Sequence, residues 1–191
     1  PLPHFINFSN KRIKNQKLKI QKIRITNTAD YVSGTNPSFH TNYINEAPRV
    51  FAIFGSNEEP DANPRCAFGM NLMYCTATDY NEFLSSLTLT SGQNTTSTLT
   101  GFTNNNPQYR PFLTTTTPQT DYIYNYARSG LLTLNDNTNE IGLYFDIPES
   151  RQAEYRHIRI LLFDNNATTK EFRIGNISVY GARKQDRGIK A

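Results

Sequence analysis

The chain has 191 residues, 37% hydrophobic and 12% aromatic, with a formal net charge of +4. That length suits one domain able to fold without disulfides or metal, and the composition is too apolar for a disordered chain. No run approaches the ~20 apolar residues of a bilayer span, and the first 25 residues hold no apolar stretch of the secretory kind.

Residues 1–16 read as an extended basic arm. A start at Pro1 fits removal of an initiator Met from a cytoplasmic product. Residues 1–29 contain no Asp or Glu, while Lys11, Arg12, Lys14, Lys17, Lys19, Lys22 and Arg24 place seven cations within fourteen residues. Residues 30–181 carry nine basic and fifteen acidic side chains, and the tail from 182 is basic again. A basic arm on an acidic body points to an acidic neighbouring subunit or to nucleic acid. The plainer reading is an edge strand whose lysines block edge pairing. The seven cations are the expected partner-binding residues.

The body is expected over residues 17–181. In KLKIQKIRITNT the apolar parity of Leu18 and Ile20 slips by one at Ile23 and Ile25, the signature of a β-bulge. Residues 31–47 read as a loop. RVFAIFGS (49–56) is nearly all apolar, hence a strand buried on both faces. Cys66, Phe68, Met70, Leu72 and Tyr74 alternate as one strand face. Ten extended residues span about 30 Å and a disulfide needs Cα atoms within about 7 Å, so Cys66 and Cys75 are expected as free buried thiols from a reducing compartment. Leu84 to Thr90 reads as a short helical start followed by a strand.

Residues 91–120 are low in complexity, with Arg110 as the one charge, and read as long loops carrying short strands. TDYIYNYAR and SGLLTLN continue as strands. EIGLYFDI turns Ile141, Leu143, Phe145 and Ile147 inward, and Pro148 ends it. ESRQAEY reads as one helical turn. HIRILLF places Ile158, Ile160 and Leu162 inward, and EFRIGNISVYG slips at Gly175–Asn176 between Phe172, Ile174 and Ile177, Val179. The chain also holds 22 Asn and 22 Thr, residues of strands and turns. Eight or more short strands predict an all-β protein: a single-domain antiparallel β-sandwich or jelly roll with the basic arm in front and a basic tail at 182–191.

Catalytic signals are sparse. There is no GxSxG elbow, P-loop, GxGxxG, CxxC or HxxxH. His157 opens a strand and reads as a surface side chain; His4 falls in the arm and His40 in a loop. Glu58, Glu59 and Asp61 follow a strand end but match no calcium-loop spacing, so a solvated turn is expected. Four Asn-x-Ser/Thr sites, at Asn7, Asn94, Asn166 and Asn176, are what chance supplies in this composition. No enzyme, cofactor or metal is expected.

Three segments in order, KIQKIRITNTADY, RVFAIFGSNEE and YRHIRILLF with FRIGNISVYG, resemble the discoidin or coagulation-factor C-type family, a galactose-binding-like jelly roll. The chain departs from it in having no Trp after the Ser-Asn turn and no terminal cysteine pair. The resemblance implies a fold and no ligand site. In its Asn/Thr/Tyr-rich strands, uncharged loops and basic arm the chain also resembles phage and viral structural proteins. The expected function is therefore a non-enzymatic virion subunit of a phage capsid or tail, made in the host cytoplasm. Its partners would be other virion subunits, including its own copies, with nucleic acid open through the arm and no membrane. The alternative is a glycan-binding module with Tyr or Arg stacking on a sugar.

Overall fold

The computed structural model describes residues 3–9, 18–28, 48–77, 79–97, 140–165, 171–172 and 174–183. Among them run ten strands: β1 (His4–Ser9), β2 (Leu18–Thr28), β3 (Pro48–Ser56), β4 (Asn71–Cys75), β5 (Leu87–Thr88), β6 (Thr96–Ser97), β7 (Glu140–Asp146), β8 (Glu154–Tyr155), β9 (His157–Asn165) and β10 (Asn176–Arg183). Helix is confined, among the described residues, to α1 (Tyr80–Ser85) and a 3-10 turn at Glu149–Arg151. The described residues are all-β, and the strands among them pair antiparallel. One sheet has the order β1-β9-β3-β4 and another the order β10-β2-β7, with β8 also on β2; β5 and β6 form a small ribbon.

Alternate side chains of a strand point to opposite faces, and β3 and β9 bury both. Phe51, Ile53, Ile158, Ile160 and Leu162 join Ile20, Ile23 and Ile25 of β2 and Phe145 and Ile147 from the end of β7 in one apolar cluster. Val50, Ala52, Phe54, Leu161 and Phe163 fill a second cluster with Phe83 of α1, Leu87, Ala67 and Met70. The first cluster draws on both large sheets; the second is closed by α1 and the chain around residues 66–70. Asp79 caps α1, accepting from the backbone N–H of Asn81 and Glu82 at 2.9 Å each.

Two bulges set which residues face the core. Tyr180 pairs with Lys22 but Gly181 pairs with Ile20, so Gln21 is the extra residue on β2. This is the slip expected from the sequence, and it keeps Ile20, Ile23 and Ile25 on one side. The Gln21 carbonyl accepts from the Ile147 N–H at 2.9 Å. In β4, Ile53 pairs with Tyr74 but Phe54 pairs with Leu72, leaving Met73 unpaired.

That second bulge corrects the expected strand at 66–74. Only Asn71–Cys75 is strand. Residues 66–70 turn, with Gly69 at φ 73°, a left-handed conformation that glycine adopts without strain. Phe68 is exposed, and Leu72 and Tyr74 pack against different clusters. Cys66 and Cys75 are free and buried. The arm is also revised in part: His4–Ser9, placed within residues 1–16, pairs residue for residue with β9, and Ile6 and Phe8 pack against the first cluster. The expected loops and strands over 98–139, the inward Ile141 and Leu143 side chains and the tail from 184 lie outside the described residues.

Candidate functional site

The outer face of the β10-β2-β7 sheet gathers the chemistry. The Gln21 bulge turns Lys22 and Arg24 outward while Ile23 and Ile25 remain inward and fully buried. Across the sheet, Lys22 lies between Tyr180 and Asp146, and Arg24 lies between Ser178 and Tyr144. Lys22 Nζ stands 3.2 Å from Asp146 Oδ1 and 5.4 Å from the centre of the Tyr144 ring. The Arg24 guanidinium is 5.8 Å from the same ring, inside the range of cation–π attraction. Arg24 Nε is buried and has no hydrogen-bond partner.

Tyr144 and Tyr180 are 40% and 43% exposed, and their ring centres lie 5.9 Å apart with planes at 50°. Beside them opens a depression of about 700 Å³ lined by Gln21, Lys22, Tyr144, Asp146, Ile147, Gln152 and Tyr180. Exposed aromatic rings beside fixed polar groups make a contact surface, since rings carry apolar area at little entropic cost. Of the seven cations singled out in the sequence, Lys22 and Arg24 come together here. Lys19 lies on the same strand opposite Glu154 and Ala182. Lys11, Arg12, Lys14 and Lys17 lie outside the described residues. Tyr144, Tyr180 and Asp146 were missed, although each falls at an outward position of an expected strand, and an outward tyrosine is the signal that marks them.

A different constellation surrounds Arg159, which is 4% exposed on the inner run of β9. Its Nε donates to Asn7 Oδ1 at 2.9 Å. Nη1 donates to the carbonyls of Asn63, at 2.9 Å, and Cys66, and Nη2 donates to that of Asp61 at 3.1 Å. The planar fork matches this fan of acceptors, so Arg159 ties β1 to the 61–66 loop. Asp61 closes the same loop by accepting from Asn63 N–H, Ser91 Oγ and Gly92 N–H. Those hydrogen bonds hold its carboxyl below the usual carboxylate range. The acidic run Glu58–Glu59–Asp61 is thus a turn in which one carboxylate is structural. No group of three His, Cys, Asp or Glu among the described residues has the placement of a metal site.

His157 is more enclosed than a surface residue: its side chain is 12% exposed. Nδ1 lies 3.0 Å from Ser9 Oγ, and Nε2 lies 3.9 Å from Glu59 Oε2. The residue types are those of a hydrolytic triad. Here, however, Ser9 and His157 are cross-strand partners, and the serine meets Nδ1. The arrangement fastens the end of β1. Burial raises the thiol of Cys75 to about 11 and the phenol of Tyr80 to about 12, beside an Arg151 guanidinium 4.7 Å from the Tyr80 ring centre.

No helix among the described residues is long and apolar enough to cross a membrane. Comparison with known protein families, with curated proteins and with solved structures found no match.

Proposed function

We propose that the chain is a non-enzymatic structural subunit of a virus particle, a capsid or tail accessory protein of a phage, whose two large sheets are the halves of a β-sandwich of jelly-roll type. The observation that carries this reading is the opposition of charge along one chain. The segment 11–24 holds seven cations and no anion, whereas residues 30–181 carry six more acidic than basic side chains. The N-terminal charge of one copy therefore has a complement on the body of the next, which favours a homo-oligomer held in register by electrostatics. The cationic stretch leads from edge strand β1 into β2, the strand flanked by β10 and β7. The discoidin-like order of segments supports the jelly-roll reading, as does a core shared by both sheets.

Sedimentation velocity at 0.05 M and 0.5 M salt tests the assembly role. The expected result is concentration-dependent association at low salt that weakens at high salt, where the Debye length falls to about 4–5 Å. Neutralising Lys11, Arg12, Lys14 and Lys17 to Gln should abolish it. A monomer at every concentration and salt would refute the proposal. Association that appears only with added duplex DNA, with a steep salt slope, would assign the segment to nucleic acid instead.

A further inference from the structure

The depression on the outer face of the β10-β2-β7 sheet has a chemistry that assembly does not require. We infer that it binds a neutral saccharide, with one sugar ring against Tyr180 and a vicinal diol held by the Lys22–Asp146 pair. At about 700 Å³ it falls within the roughly 300–1,000 Å³ of small-molecule sites and has room for a short oligosaccharide. An ammonium and a carboxylate 3.2 Å apart place a donor beside an acceptor. Adjacent hydroxyls match that arrangement, one accepting from Lys22 and the other donating to Asp146, both as charge-assisted bonds.

The tyrosines supply the remaining element. Two rings inclined at 50° offer electron-rich faces to the C–H bonds of a sugar ring. Cations already lie near Tyr144, which leaves Tyr180 as the stacking ring. Gln152 Nε2 donates to the Ile147 carbonyl at 3.0 Å, and this orients its amide at the rim. The Gln21 bulge is held by the Ile147 N–H. Five of the lining residues stand on β2, β7 and β10, and Ile147 and Gln152 come from the connection after β7. Asp146, with a side chain 77% exposed at the β7 side of the depression, disfavours a polyphosphate backbone, since a carboxylate beside the rings repels a phosphate placed there. This separates a saccharide from a single-stranded nucleic acid, which tyrosines and cations alone would also suit.

The inference stands apart from the assembly role, because a monomer can bind sugar and an assembling chain need not. The test applies the full chain to a printed array of neutral and acidic oligosaccharides. Isothermal titration then follows with the strongest neutral binder, for the native chain and for Tyr180→Ala and Asp146→Asn. Both side chains are exposed, circular dichroism confirms that each variant folds, and either variant alone suffices if the other does not. The expected result is binding that changes less than twofold between 0.05 M and 0.5 M salt and weakens at least tenfold in each folded variant. The inference is overturned if no neutral saccharide binds, or if binding survives both substitutions. It is also overturned if a fluorescent twenty-nucleotide oligothymidine binds in place of sugar with steep salt dependence.

Discussion

Replacing Arg159 with Met keeps the aliphatic stem of the side chain and removes the guanidinium. The carbonyls of Asp61 and Cys66 and the amide oxygen of Asn7 then lose the guanidinium donor, and the Asn63 carbonyl keeps the Cys66 N–H. A hydrogen bond to a charged group contributes about 1.5–3 kcal/mol, and an orphaned buried acceptor costs about 1–3 kcal/mol. The terms do not add, because the loop carbonyls can turn toward water once released, and because burying the guanidinium had its own desolvation cost. Burial is also what lowers the Arg159 pKa, but a guanidinium stays charged throughout the accessible pH range. The expected loss is about 3–5 kcal/mol, the range for breaking a buried charged network from one side. With a urea slope of about 2 kcal/mol/M the midpoint falls by about 2 M. Arg159→Lys should lose nearly as much, since one ammonium cannot serve acceptors fanned around a plane. In both variants, hydrogen exchange should quicken at the Cys66 and Thr95 amides, which are bonded to Asn63 O and Arg65 O in the native loop. A loss below about 1 kcal/mol in both variants, with that exchange unchanged, would refute the reasoning.

Phe145→Ala should cost about 3–5 kcal/mol by denaturation, because the ring sits in the cluster shared by both sheets, 5.0 Å from Phe51; a cost under about 1 kcal/mol would mean the sheets do not share that core. Gly55→Ala should cost about 1–3 kcal/mol by overpacking, since a Cβ there would stand 2.6 Å from Tyr155 Cγ, and pairing it with Tyr155→Ala should recover most of the loss. In the native protein neither cysteine should react with Ellman's reagent at pH 7.4, because both are buried. A Cys75 pKa raised to about 11 leaves the unreactive thiol dominant until strongly alkaline pH, while the urea-unfolded chain should show two thiols.

Much of this fold is legible in the sequence where a strand has one unambiguous period. RVFAIFGS carries apolar residues at both parities, and β3 is buried on both faces. The parity slip in KIQKIRI marks the Gln21 bulge. HFINFS escaped because Phe5, Ile6 and Phe8 do not alternate, and an edge strand needs only Ile6 and Phe8 half-buried. The run from Cys66 to Tyr74 misled in the opposite way: alternation through a turn and a bulge looks like one strand, and no local signal shows that Met73 is the extra residue. The alternation that turns Ile158 and Ile160 toward one cluster puts Arg159 on the opposite face of β9, and nothing local in the sequence marks that face as buried. The chain at 61–66, folded over the far side of β9, gives the guanidinium three carbonyl acceptors, and Asn7 of β1 gives the fourth. The outer-face site joins three strands far apart in the chain, so its cations were visible in one basic run while its tyrosines and carboxylate were not.

The central claim, that the cationic N-terminal segment of one copy meets the acidic body of another, is tested most directly by zero-length carbodiimide cross-linking in a mixture of nitrogen-14 and nitrogen-15 copies at low salt. The account predicts mixed-isotope links joining Lys11, Lys14 or Lys17 to carboxylates within residues 30–181. Same-isotope links alone would mean that each segment folds onto its own body. The absence of links from these lysines would mean that they face solvent. Either result would contradict an assembling subunit of this design.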